Sequence, residues 1–298
     1  SYRFIASIST FDYFKKDKLF SKNDKPAFNQ KDERFLKLKV ALPFLSSKRL
    51  ELGFGIAQIE DRYFQNNVID FDKDKYDKSG YRLFGGSVSF NGSTLNSRQF
   101  PIQGAREALV AQIFTGNESF RPGVNSENKK PVKEKHSWLQ LSYMKEKYHK
   151  MGANWILGWY LDAVYASKNF SENYTATMMQ ASEFAPTAHS KLTYNEAFRA
   201  NQYVAAGIRP IYRLNQMFHV RGEFYGFLPI FPIERNSINK AYYGKAFSRF
   251  EYLGEISVVC QLPFGAISAY VNHYSSPRRE WNVGLTLGWQ LFNYRFIE

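Results

Sequence analysis

No stretch of this 298-residue chain approaches the ~18 consecutive apolar residues that a membrane-spanning helix needs, and its mean hydropathy is −0.44. A helical membrane protein is therefore excluded. Cysteine is almost absent: Cys260 stands alone, so no internal disulfide framework holds the fold. A Gly-x-Ser-x-Gly nucleophile elbow is also missing. Of His136, His149, His189, His219 and His273, only His189 adjoins a serine, Ser190, in a loop without a surrounding catalytic motif. Intrinsic catalysis is not expected, and neither is a cofactor. Acid is in the minority, 27 Asp and Glu against 40 Lys and Arg, which leaves a net charge of +13. Such an excess can mark nucleic-acid binding. Here, however, the lysines sit in loops, as in Lys15-Lys16-Asp17-Lys18 and Lys129-Lys130, and no recognition helix carries them. Nucleic acid is not an expected partner; anionic lipid or lipopolysaccharide phosphate is.

What the chain does have is aromatic residues and alternation. Phe and Tyr number 27 and 20, and they recur at segment ends rather than pooling in one core. In the clearest segment Phe250, Tyr252, Ile256, Val258, Cys260 and Leu262 share one face, against Glu251, Glu255, Ser257 and Gln261 on the other. Around 218–230, Phe218, Val220, Phe224, Leu228 and Ile230 alternate with His219, Arg221, Glu223 and Tyr225. The last such segment sets Trp281, Val283, Leu285, Leu287, Trp289 and Leu291 against Asn282, Gly284, Thr286, Gly288 and Gln290. Period two means strands with one greasy face. The same reading predicts strands near 2–13, 34–45, 48–62, 81–94, 105–117, 137–149, 153–167, 202–213, 217–231, 248–261, 264–275 and 280–292, and no helix.

The connections alternate in length. Long ones fall near 14–33, 63–80, 118–136, 168–201 and 232–247, with a modest one at 276–279; short ones fall near 46–47, 95–104, 150–152, 214–216 and 262–263. Short periplasmic turns alternating with long extracellular loops are the mark of a transmembrane outer-membrane barrel, and a soluble sandwich has no reason for them. The expected fold is all-β: one antiparallel outer-membrane β-barrel domain over 1–298, with about twelve visible strands and both visible ends on the periplasmic side.

At the fourth-to-fifth strand junction Pro101 fixes φ, Gly104 permits φ > 0, and Phe100 suits the interfacial aromatic belt. This Phe-Pro-x-x-Gly turn, followed by a strand ending Phe114-Thr115-Gly116, resembles the BamA/TamA-type bacterial surface antigen superfamily. Glu255 through Gly265, with Pro263 and Gly265 at its turn, is similar to that superfamily's penultimate hairpin, which also turns on a Pro next to a Gly. Segments 197–207 and 218–223 look like the barrels carried at the C-terminus of patatin-like phospholipases of Bacteroidetes-type bacteria. The resemblance spans about 80–292 and implies a sixteen-stranded barrel of which the last twelve strands are visible. Four strands, a periplasmic repeat and a patatin domain would then lie upstream, in keeping with the lack of a signal peptide before Ser1. A self-contained twelve-stranded barrel is the alternative.

The resemblance implies an anchoring or display role for an upstream lipid hydrolase. Alternatives are an assembly or translocation module of BamA/TamA type, with other outer-membrane proteins or lipids as its clients, and a small-solute porin. It also implies a long sixth loop folded into the lumen, where an arginine meets acids of the wall. Arg199 is the best-placed loop arginine and Glu223 the lumen-facing acid, with Arg221 and Glu255 as charged neighbours. Arg199 is followed by Ala200 and Asn201 rather than Gly and an aromatic, so the motif is degraded. Arg221 lies within a strand, where cross-strand pairing in a wet lumen accounts for it. In the loop Asp70 to Asp77, Asp70, Asp72 and Asp74 alternate as calcium-loop ligands do, but the sixth-position glycine is missing, Tyr81 stands where the final acid belongs, and Lys73 and Lys75 offset the charge, so a solvated loop is expected.

Overall fold

In strand Phe28–Leu45 the charged residues Glu33, Lys37 and Lys39 are buried, while Leu36, Leu38, Leu42 and Phe44 are exposed. That inverts a soluble strand and holds around the sheet. Phe54 is 63% exposed, Ile113 64% and Ile256 51%, whereas Glu51, Gln112 and Glu255 are buried on the opposite faces of the same strands. Exposed side chains of this size and continuity need a solvent other than water, and a lipid-facing barrel wall supplies it.

The computed structural model describes residues 2–14, 28–45, 47–65, 76–124, 126–191, 193–263, 265–276, 281–289 and 296–297. The strands are β1 (Tyr2–Phe14), β2 (Phe28–Leu45), β3 (Lys48–Tyr63), β4 (Asp77–Ser93), β5 (Gly104–Arg121), β6 (Val132–Lys150), β7 (Trp155–Ala166), β8 (Ser182–Glu183), β9 (Arg199–Ala200), β10 (Gln202–Arg213), β11 (Phe218–Pro229), β12 (Ile233–Arg235), β13 (Ala241–Tyr243), β14 (Glu251–Leu262), β15 (Gly265–Tyr274) and β16 (Trp281–Trp289). Twelve of them form one antiparallel sheet in the order β1-β2-β3-β4-β5-β6-β7-β10-β11-β14-β15-β16. β8–β9 and β12–β13 are small separate ladders inside the long loops. Each predicted strand is present, with 290–292 of the last lying outside the described residues; β2, β4, β5 and β6 run further than expected at the long-loop end, β6 beginning at Val132 instead of 137. These extensions are polar and outlast the apolar belt, so hydrophobic alternation alone did not mark them.

β1 and β16 are the two ends of the sheet order, and no ladder between them is present among the described residues. The sheet nevertheless curls on itself. Loop 167–201 touches Asp61 on β3 through Gln180 and Asn272 on β15 through His189, so strands far apart in the order face one interior.

The expectation of no helix is corrected by α1 (Tyr174–Gln180), seven residues within that loop, followed by a 3-10 turn at Glu196–Phe198. All seven residues of α1 are buried, so it has no polar stripe and no periodicity to read. Its N-cap, Asn173, accepts from the Ala176 amide and donates to Tyr63 Oη at 2.7 Å, which fastens the helix start to β3.

Candidate functional site

Three layers of side chains fill the interior of the curled sheet. At the short-turn end, Arg209 on β10 donates to Glu146 and Tyr148 on β6 and, at 2.7 Å, to Tyr225 Oη on β11. Arg221 on β11 donates to Glu223 two residues along, to Tyr148 Oη at 3.0 Å and to the Pro101 carbonyl at 2.8 Å. Tyr225 also donates to Glu223, and Arg209 lies 3.9 Å from the same carboxylate. Two guanidinium groups thus face two carboxylates and two phenols. Arg209 also stacks on the Tyr160 ring at 4.6 Å. Arg221 is only 2% exposed, so these are desolvated pairs and not the wet cross-strand neighbours expected from sequence.

The Phe-Pro-x-x-Gly turn closes this layer. Phe100 has φ 48° and Gly104 φ +92°; a Cβ at Gly104 would stand 2.1 Å from the Thr94 carbonyl oxygen, so only glycine fits. The left-handed Phe100 turns inward, its ring centroid 6.0 Å from the Arg221 guanidinium, and Leu95 and Ile102 pack on Tyr148, Ile156 and Ile211. Phe100 was expected in the interfacial belt. It caps the lumen instead, because the Pro101 carbonyl satisfies a buried arginine.

The middle layer is aromatic. Phe296 reaches the interior beside β2–β5, with ring centroids 5.9 Å from Phe35 and 5.6 Å from Phe114. Its amide donates to Glu33 Oε1 at 2.6 Å, and its carbonyl accepts from Lys37 Nζ at 3.4 Å and Gln112 Nε2 at 3.5 Å. Gly55 and Gly85 form the notch: a Cβ there would lie 2.9 and 3.2 Å from the Phe296 ring.

The long-loop layer is segment 167–201. Lys168 Nζ sits over the Trp138 ring at 4.6 Å and donates weakly to Gln180, which in turn bonds Asp61. Burial pulls the Lys168 ammonium down to about 7, with Lys31 adding to the effect. Phe184 and Phe198 join Tyr203, Tyr225 and Phe227 of the wall in one buried cluster. From above, the β12–β13 hairpin packs Ile233 on α1, and the Asn239 carbonyl accepts from the Tyr174 amide.

The sequence-predicted residues distribute over two of these layers. Arg199 is buried in the loop, but it pairs with Glu183 at 2.8 Å and donates to the carbonyls of Met178, Met179 and Ala181. The expected Arg199–Glu223 pair is not made: the β8–β9 ladder sets Glu183 opposite Arg199, and Glu223 is engaged by Arg221 and Arg209. Glu255 accepts from Asn272 at 3.3 Å on the neighbouring strand. No local motif marks Arg209, Glu146 or Phe296: the Arg209–Glu146 pair joins residues 63 apart, and Gln112 meets the Phe296 carbonyl across 184.

Ser190 Oγ donates to the Thr187 carbonyl, while His189 Nδ1 faces Tyr274 Oη and Asn272. Glu118, Glu134 and His136 offer metal-ligand atoms within 4.8 Å of one another. Glu118 is already taken by His136 at 2.8 Å and by Tyr81 at 3.2 Å. Asp70, Asp72 and Asp74 lie outside the described residues, as do Lys15-Lys16-Asp17-Lys18; Asp77 accepts from the Gly123 amide.

No protein-family model matches the sequence, and no curated protein is similar to it. Among solved structures, the chain is similar to BamA from Haemophilus ducreyi lacking POTRA domains 1-3, at 12% identity and a TM-score of 0.54. That likeness covers 95% of this chain and 57% of the BamA chain, so this chain spans little more than half its length. Looser likenesses join it to the transport unit of the autotransporter AIDA-I from Escherichia coli (12% identity, TM-score 0.42, 95% and 86% of the two chains). Another is the translocator domain of autotransporter NalP from Neisseria meningitidis (7% identity, TM-score 0.33, 95% and 85%). What the chain shares with BamA is the fold, an antiparallel outer-membrane β-barrel, and the apolar outer wall is that of a protein of the bacterial outer membrane.

Proposed function

We propose that this chain is an outer-membrane anchoring and display barrel with an occupied lumen, carrying a patatin-like lipid hydrolase domain upstream and performing no catalysis itself. The observation behind this reading is the filled interior: Arg209, Arg221, Glu146 and Glu223 below, Phe296 at mid-height and loop 167–201 above. A porin keeps a polar, water-filled channel, whereas an anchor has no use for one. The patatin partner rests on the resemblance of segments 197–207 and 218–223. Its expected partners are outer-membrane lipid and lipopolysaccharide together with that upstream domain.

The test has two arms. In planar bilayers the chain should show no steady ohmic conductance, and an open conductance of porin size would sink the anchor reading. Expressed with its upstream sequence, it should confer lipase activity that this segment alone lacks; activity in this segment, or none in the longer protein, would sink the patatin partner. A second reading, an assembly or translocation module, draws on the BamA fold and on the absence of a β1–β16 ladder among the described residues. A cross-link between β1 and β16 that leaves function intact would count against it.

A further inference from the structure

The lipid-facing wall carries cations that the interior does not use. The ladders set Arg34 opposite Gln58, Gln58 opposite Arg82, Arg82 opposite Asn117 and Asn117 opposite Lys135. Five adjacent strands, β2 to β6, therefore present Arg, Gln, Arg, Asn and Lys at one height on the outer face. The row beneath is Leu36, Ile56, Phe84 and Thr115, in the same registers. Phe84 is 55% exposed, and below it Leu38, Phe54 and Ile113 continue the apolar belt.

The row's height follows from strand geometry. Arg34 is ten residues from Phe44 near the short-turn end of β2. At ~3.3 Å per residue and a tilt of ~40°, that places the row about 25 Å above Phe44, the height of the apolar band of such barrels. The cations thus stand at the boundary between acyl chains and headgroups on the long-loop side.

Their charge is uncompensated. The acids one row higher, Asp32 and Glu60, are held by Arg62 at 3.2 and 2.7 Å, and Glu60 also by Lys78 at 2.6 Å. Arg34, Arg82 and Lys135 have no acidic partner among the described residues. Against them lies an open groove of about 1160 Å³ on the same wall, its apolar side formed by Ile8, Leu36, Ile56 and Phe84. At ~4.8 Å between strands, Arg34 and Arg82 stand about 10 Å apart and Arg34 and Lys135 about 19 Å. That spacing suits a ligand with phosphates at both ends of a short sugar backbone better than a single-phosphate headgroup.

We propose that this row and groove bind the lipid A portion of lipopolysaccharide, a bisphosphorylated, acylated disaccharide. Arg34, Arg82 and Lys135 take the phosphates through charge-assisted hydrogen bonds. Gln58 and Asn117 take sugar hydroxyls, and an acyl chain lies along Ile8, Leu36 and Phe84. The site rests on the reading that the long loops face the cell exterior, where this lipid resides.

The test uses the full chain, delipidated and refolded in detergent, with retention of added lipid A read by native mass spectrometry. The wild type should retain one lipid A, and the triple variant Arg34→Gln/Arg82→Gln/Lys135→Gln should bind at least tenfold more weakly. These side chains are on the exposed wall, and a heat-modifiable band on gels verifies folding. Lys150→Gln removes a charge at the opposite rim and should change nothing. Wild-type retention by the triple variant, or equal retention of phosphatidylglycerol, overturns the proposal. Orientation is read separately with Glu127→Cys in a Cys260→Ser background. Failure of a maleimide to label intact cells overturns the outward orientation and the site with it; labelling without lipid A selectivity overturns the site alone.

Discussion

Replacing Arg199 with methionine should undock the loop from the lumen while leaving the wall intact. The guanidinium is buried, 2.8 Å from Glu183, and lies 4.7 Å over the Tyr194 ring. Its three carbonyl contacts, at 3.4–3.5 Å, are long and contribute little. Methionine keeps most of the side chain's volume, so the main loss is the charge partner of a buried carboxylate. Breaking one side of such a pair costs about 3–5 kcal/mol. The lower end applies, because Glu183 stands in a two-residue ladder that can open to water without unfolding a strand. About 3 kcal/mol is roughly a 10²-fold change in the opening equilibrium. Hydrogen exchange followed by mass spectrometry should therefore show roughly 10²-fold less protection for peptides covering 174–183, with β10 and β11 unchanged. Adding Glu183→Gln should restore part of the loss. Glu223→Gln should leave 174–183 protected, since its partners are Arg221 and Arg209. The reasoning fails if Arg199→Met keeps wild-type protection, or if Glu223→Gln loosens the loop equally.

Three further outcomes are expected. Phe296→Ala should cost about 3 kcal/mol or more of local stability, seen as roughly 10²-fold faster exchange of the amide that donates to Glu33; Gly85→Val, which fills the notch, should do the same. Arg209→Met should lower the urea midpoint of the whole sheet by about 3 kcal/mol in free-energy terms, because it leaves Glu146 without a guanidinium while Glu223 keeps Arg221. Lys168 titrates near 7 in the docked loop against 10.5 when free, so the undocked loop binds the extra proton between those values. Docking then strengthens as pH rises through that window and is weakest at and below 7. Protease resistance of 168–201 should climb from pH 7 to about 9.5, and Lys168→Met should flatten the profile.

The strands were legible because each crosses lipid with a two-residue period. Glu33, Lys37 and Lys39 against Leu36, Leu38 and Leu42 could be read from β2 alone. Legibility ended where the wall ended. α1 is buried on every side, so nothing in Tyr174–Gln180 alternates; the one available signal was Asn173 as an N-cap, weak before a seven-residue helix. The Arg199 partner was misassigned because the family pattern points from loop to wall, and the pairing here is decided by a ladder within the loop. The strand neighbours of Arg221 say nothing of its bond to the Pro101 carbonyl, which joins residues 120 apart. The Phe100–Gly104 turn was recognised as a turn, yet its inward direction depended on a buried guanidinium elsewhere.

The arrangement of charge links these layers to one requirement. A curled sheet of this width encloses backbone-lined space that must hold either water or side chains, and each layer here supplies what the wall lacks at that height. Near the short turns the wall offers Glu146 and Glu223; Arg209 answers Glu146 from two strands away, and Arg221 answers Glu223 from the same strand. At mid-height it narrows to Gly55 and Gly85, and an aromatic ring from a remote segment fits the notch. Near the long loops it presents Asp61 and Glu118, and loop 167–201 meets them with Gln180 and the Glu172 amide. Any one layer could yield while the others still obstruct the path. A solute channel would therefore need all three to move, whereas an anchor needs only that they stay. Conductance should accordingly remain absent in Arg199→Met and in Phe296→Ala taken singly. A steady open current in either would mean that one layer alone gates the lumen and that the three do not share its obstruction.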